Sequence, residues 1–204
     1  MKHLKLFESF KDIKSICKKY DIKNYTINPD GSVDVDGHVS LSNYRFAKLP
    51  LKFGRVSGVF DCGLNKLTTL EGSPREVGLT FDCSVNKLTT LEGAPEMVGR
   101  HFNCYDNQLT TLEGAPREVG GAFDCKNNQL TTLKGAPERI GQSFLCRSNP
   151  VFNIYELFKS HKDFMDSLDW DYIRGNKIVK SRFIDACEET EIEVPKSIKG
   201  YKYI

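Results

Sequence analysis

A chain of 204 residues with a formal net charge of +2 has room for one domain, or for one repeat array with its ends. Basic and acidic residues number 9 and 6 over positions 1–50, 11 and 11 over 51–150, and 9 and 10 over the rest, so no segment has the basic excess of a general nucleic-acid binder. No apolar run approaches the roughly 20 residues that a membrane span needs.

The N-terminal stretch MKHLKLFESFKDIKSICKKY is charged throughout and has no signal-peptide core, which predicts a cytoplasmic protein. Leu4, Phe7, Phe10, Ile13, Cys17 and Tyr20 recur within it at helical spacing, predicting a helix over 3–20. Next, Tyr25–Ile27 and Val33–Val35 flank Asn28-Pro29-Asp30-Gly31, a turn sequence between two short strands. Residues 1–38 are read as an N-terminal helix-and-hairpin cap.

From residue 39 to 154 the chain repeats itself. Phe60, Phe81, Phe102, Phe123 and Phe144 are each 21 residues apart, as are Cys62, Cys83, Cys104, Cys125 and Cys146. So are Asn65, Asn86, Asn107, Asn128 and Asn149. A fixed period of this length means a solenoid, in which each unit buries its apolar edge by stacking on the next. A degenerate unit leads in, with Val39, Leu41, Phe46, Leu49 and Val56 in phase and Tyr44 in the asparagine's place; Val151 and Ile154 end the pattern.

Phe and Cys alternate, so they share one side of a short strand and stack into parallel columns about 4.8 Å apart per step. The asparagine is expected to turn inward and bond backbone groups freed where the strand ends. Gly93 and Pro95 exclude a helix on the return, predicting an extended, non-helical back. Five of the seven cysteines are core letters of the repeat, the total is odd, and no Cys-x-x-Cys occurs. They are read as reduced core thiols, neither disulfide-bonded nor metal-binding.

Residues 155–204 are read as a helical C-terminal cap. Tyr155, Phe158, Phe164, Met165 and Leu168 suggest a helix from 154 to 168, with Trp170, Tyr172 and Ile173 following. After Gly175-Asn176, a second helix near 180–190 would carry Phe183, Ile184 and Cys187, and the tail Tyr201-Lys202-Tyr203-Ile204 reads as a strand.

The unit Phe-x-Cys-x-x-Asn-x-Leu-Thr-Thr-Leu resembles the leucine-rich repeat, L-x-x-L-x-L-x-x-N-x-L. Phe81 and Cys83 match its second and third leucines, Asn86 its asparagine and Leu88 its last leucine. The first leucine has no clean match: Gly78 holds that register and Val77 sits one residue early. The short, Pro-containing unit resembles the repeats of bacterial secreted effectors, and its wording resembles repeat proteins of tailed bacteriophages. The resemblance implies an α/β leucine-rich-repeat solenoid, with a parallel β-sheet on a concave face and helical caps at both ends. It also implies partner binding on that face.

Two sets of letters point outward there. Asp61, Asp82, Asn103, Asp124 and Leu145 form one column, readable as a structural ladder or as a binding surface. Letters that drift between copies could carry specificity: Val59, Thr80, His101, Ala122 and Ser143 before each strand, and Gly63, Ser84, Tyr105, Lys126 and Arg147 after each cysteine. The residue after that reads Leu64, Val85, Asp106, Asn127 and Ser148. His101, Tyr105, Lys126 and Arg147 gather on the later units, and Tyr and Arg are favoured interface anchors.

No catalytic residue, metal or cofactor is expected. Some effectors with similar repeats add a ubiquitin-ligase domain with a catalytic cysteine, but the roughly 50 residues after the array cannot hold one. Cys187 lies on the apolar side of its predicted helix, His3, His38, His101 and His161 lack ligand spacing, and no phosphate-binding glycine motif occurs. The expected function is non-enzymatic protein binding. If the protein is phage-encoded, it would act in the host cytosol on a host defence or regulatory protein. A virion-associated structural part and a nucleotide-signal sponge using Tyr105, Lys126 and Arg147 are the alternatives.

Overall fold

The computed structural model describes residues 2–155, 157, 173–174, 177–199 and 201–204. It is a β-solenoid in which each coil contributes a short strand to each of two parallel sheets. The first sheet holds β3 (Val39–Ser40), β5 (Phe60–Asp61), β7 (Phe81–Asp82), β9 (Phe102–Asn103), β11 (Phe123–Asp124) and β13 (Phe144–Leu145). We number coils 1 to 6 by these strands. The second sheet runs β1 (Tyr25–Ile27), β2 (Val33–Val35), β4 (Phe53–Val56), β6 (Glu76–Val77), β8 (Met97–Val98), β10 (Glu118–Val119) and β12 (Arg139–Ile140). Its first pair is the expected hairpin, antiparallel with Tyr25 opposite Val35; every later pair is parallel.

This second sheet refines the expectation of an extended back. The return is non-helical, yet two of its residues per coil pair in register, as Glu76 does with Met97 and Val77 with Val98. The glycine that spoiled the match to the first leucine is the corner between the sheets. A Cβ on Gly99 would stand 2.1 Å from the carbonyl oxygen of Gly78 on the coil before, so only glycine lets the backbones stack there. A further turn closes with Ala94 N–H donating to the Leu91 carbonyl at 2.9 Å, and Gly93 supplies its φ of +86°.

Register aligns the core. Adjacent rings of Phe60, Phe81, Phe102, Phe123 and Phe144 lie 5.2–5.8 Å apart and within 14° of parallel. Phe53 meets Phe60 edge-on at 5.0 Å and 74°. The first four rings of the column are fully buried and Phe144 partly so. Each buried Phe contributes roughly 1.5–3 kcal/mol. All seven cysteines are buried and free. Val56, Val77, Val98 and Val119 line the core from the second sheet, and the paired leucines of coils 2 to 5 line it from the turns.

At the N-terminal end lies α1 (Lys2–Lys19), which buries Ile13 and Cys17 in the same core. Tyr20 then sets its ring edge-on to Tyr44 at 5.0 Å and Phe46 at 5.3 Å of coil 1. After coil 6 comes α2 (Phe152–Tyr155). Phe158, Phe164, Met165 and Leu168, on which the first C-terminal helix was predicted, fall outside the described residues, as do Trp170 and Tyr172. The second predicted helix is α3 (Lys180–Glu189), with Phe183, Ala186 and Cys187 buried. The tail strand is β16 (Lys202–Tyr203), paired to β15 (Lys177–Ile178), which pairs in turn with β14 (Ile173–Arg174). This unit touches the array where Tyr201 Oη donates to the Thr131 carbonyl at 2.7 Å.

Candidate functional site

The asparagine column stitches coil to coil. Asn107 Nδ2 donates to the carbonyls of Cys104 and Tyr105 on its own coil, at 3.1 and 3.4 Å, and of Cys83 on the preceding one, at 3.1 Å. Its Oδ1 accepts the Leu88 N–H at 3.0 Å. Asn86, Asn128 and Asn149 repeat this pattern, all buried. Asn65 accepts from the N–H groups of Tyr44 and Phe46 of coil 1, both at 3.0 Å. These side chains pair backbone groups that burial would otherwise leave without partners.

Just before each asparagine, and before Tyr44 in the asparagine's place on coil 1, the backbone turns left-handed. Asn43, Leu64, Val85, Asp106, Asn127 and Ser148 have φ between +53° and +63°. Asn, Asp and Ser suit such a turn because their side chains bond locally. Leu64 and Val85 gain no such bond, and a left-handed backbone costs an ordinary residue about 1–2 kcal/mol. In the sequence this column stands among the drifting letters that could carry specificity. Its run of Asn, Asp and Ser was the available sign of a positive-φ position, and two aliphatic residues in that company were the anomaly.

The outward face of the six-stranded sheet carries the candidate letters. Asp61, Asp82, Asn103, Asp124 and Leu145 are consecutive register partners. Each Asp bonds its own turn: Oδ1 of Asp61, Asp82 and Asp124 accepts the N–H of Gly63, Ser84 and Lys126 at 2.9, 2.9 and 3.1 Å. Asn103 Nδ2 donates to Asp82 Oδ2 at 2.9 Å and separates Asp82 from Asp124. Only Asp61 and Asp82 are adjacent carboxylates. The local bonds give the column a structural task in coils 2, 3 and 5.

The later coils carry the bulk. Tyr105 and Lys126 are half-buried and Arg147 is exposed. Lys126 Nζ lies 3.1 Å from Asp124 Oδ2, while among the described residues Arg147 has no ion-pair partner. The same column holds only Gly63 and Ser84 on coils 2 and 3.

His101 has a task within the solenoid. Its Nδ1 accepts the Ala122 N–H of the next coil at 3.0 Å. His38, in the same column, accepts the Val59 N–H at 2.9 Å. A Cβ at Gly121 or Gly58 would stand 2.7 Å from the respective Nδ1, so each histidine needs a glycine beside it on the following coil. The pairing of His38 with Gly58 and His101 with Gly121 was visible in the sequence, twenty residues apart in both cases.

Burial pushes the column thiols up: Cys62, Cys83, Cys104 and Cys125 well above the ordinary thiol value, and Cys146 up to about 12. Cys187 is raised to about 11 by the same cause. Thiolate nucleophilicity is therefore suppressed at all six. Among the described residues, no group of three or more His, Cys, Asp or Glu could hold a metal ion, and no helix is long and apolar enough to cross a membrane. Comparison with protein-family models, curated proteins and solved structures finds no match.

Proposed function

We propose that this chain is a non-enzymatic protein-binding module: a leucine-rich-repeat-like solenoid, its ends closed by helical caps, that holds a partner on the outward face of the six-stranded sheet. The observation that carries this is the column after each cysteine. It runs Gly63, Ser84, Tyr105, Lys126, Arg147, from no side chain to long ones, on a scaffold whose core letters do not change. Tyr gives rigid amphipathic area and Arg gives forked donors, so two or three such residues can dominate an interface. The resemblance to tailed-phage repeat proteins supplies a setting, a factor acting in the host cytosol on a host defence or regulatory protein.

The test is affinity for the protein recovered in stoichiometric amount from host lysate. Tyr105→Ala with Arg147→Ala should weaken binding about tenfold or more, about 1.4 kcal/mol, without lowering the melting temperature. Arg75→Ala with Arg117→Ala, on the second sheet's side, should leave it intact. The reverse result would remove the sheet face from consideration.

A further inference from the structure

A different surface is assembled at the left-handed turns of coils 1 to 3. Leu64 is 56 % exposed at φ +53°, and Val85 is half-buried at φ +54°. Neither gains enough burial in the free protein to account for an aliphatic residue at a left-handed turn position that the other coils fill with Asn43, Asp106, Asn127 and Ser148. Backbone strain of this kind gathers where binding needs it. Beside them is Tyr44, 50 % exposed, whose N–H bonds Asn65 of the Leu64 turn.

A stripe of cations flanks these residues. Arg45, Lys66 and Lys87 occupy one repeat position on successive coils, all exposed, and none has an ion-pair partner among the described residues. Backbone bonds hold the stripe in register: Lys66 N–H donates to the Phe46 carbonyl at 2.8 Å, and Lys87 N–H to the Leu67 carbonyl at 2.9 Å. On coils 4 and 5 the stripe becomes Gln108 and Gln129, and the turn becomes Asp106 and Asn127. The aliphatic residues and the cations thus end together, at the same coil.

We propose that this corner of coils 1 to 3 docks an acidic peptide segment carrying aliphatic or aromatic anchors. The anchors would lie on Leu64, Val85 and Tyr44, and the carboxylates would meet Arg45, Lys66 and Lys87. A second copy of this chain is disfavoured, because two such corners would set cation against cation. A single-stranded nucleic acid fits less well. Leu64 and Val85 offer no ring for a base to stack on, and the Tyr44 ring is already stacked on Phe46 at 5.3 Å.

The repeat supplies its own controls, because Leu64→Asn, Val85→Asn, Lys66→Gln and Lys87→Gln only write the letters of the later coils into the earlier ones. A random-peptide display library is panned on the full chain and counter-selected on the variant with all four changes. Enriched peptides are then titrated by fluorescence anisotropy. Expected are sequences with Asp or Glu interleaved with Leu, Ile, Phe or Trp. Their binding should weaken about tenfold or more in both the Leu64→Asn/Val85→Asn and the Lys66→Gln/Lys87→Gln variants. Melting temperatures should hold or rise, and Tyr105→Ala with Arg147→Ala should leave these peptides bound, which separates this surface from the sheet face. No enrichment over the variant, or a neutral or basic consensus, overturns the proposal. So does loss of binding only in variants that also melt lower. Binding of oligothymidylate or of phosphatidylserine vesicles that disappears in the same variant, without peptide enrichment, gives the corner to another class of partner.

Discussion

Coils 2 and 3 differ from coils 4 and 5 in where they place their unusual residues. In the earlier pair the sheet face is nearly bare, with Gly63 and Ser84, while the turn corner is apolar, strained and bordered by Lys66 and Lys87. In the later pair the corner is relaxed, with Asp106, Asn127 and neutral glutamines, while the sheet face carries Tyr105 and Lys126. Beneath both lies the same stack of Phe, Cys, Leu and Asn. The contrast teaches that one scaffold separates stability from display. Whatever the outer letters do, they do at different azimuths of the solenoid in its two halves.

If the two halves share one core, equal core lesions should cost the same in each. Phe81→Ala and Phe123→Ala should each destabilise by about 3–5 kcal/mol, the range for a large aromatic lost from a packed site, and should agree within about 1 kcal/mol. Urea denaturation measures both, and a wide gap would show that the halves differ below the surface. Asn107→Leu sits at the boundary. It leaves the Leu88 N–H without its partner, and takes one of two amide donors from the carbonyls of Cys83 and Cys104, which keep Asn86 and Asn128. A buried group so stranded costs about 1–3 kcal/mol, so the melting temperature should fall; an unchanged one would mean that the stitch carries no load between the halves. The smallest effect sharpens the contrast most. Val85→Asn should stabilise by about 1 kcal/mol and Asn127→Val destabilise by a similar amount, because the same left-handed turn favours Asn on both coils. Equal signs in calorimetry would remove the strain argument.

Much of this was legible in the sequence, for reasons visible in particular residues. Phe, Cys and Asn recur at one spacing, and identity at a fixed period specifies a stacked column without knowledge of its geometry. The second sheet was not legible. A strand of two residues, Glu76–Val77 or Met97–Val98, is too short to show alternation, and its corner, Gly78 or Gly99, looked like a flaw in a leucine pattern. His101 was read as an interface residue because a drifting letter looks free. Its bond to the Ala122 N–H appears only when coils are stacked. The helix at the N-terminus and the one near 180 were legible from their apolar spacing, and their place against the array came from the coordinates.

The asparagine bonds also have a direction. Nδ2 of Asn86 reaches back to Cys62, that of Asn107 to Cys83, that of Asn128 to Cys104 and that of Asn149 to Cys125. Their Oδ1 atoms likewise accept from the coil behind. A chain leaving the ribosome from its N-terminus therefore presents each new coil with a finished template. Each new coil brings both the donor and the acceptor that close its joint to the coil already made, whose Leu N–H is paired only then, so assembly can follow synthesis one coil at a time.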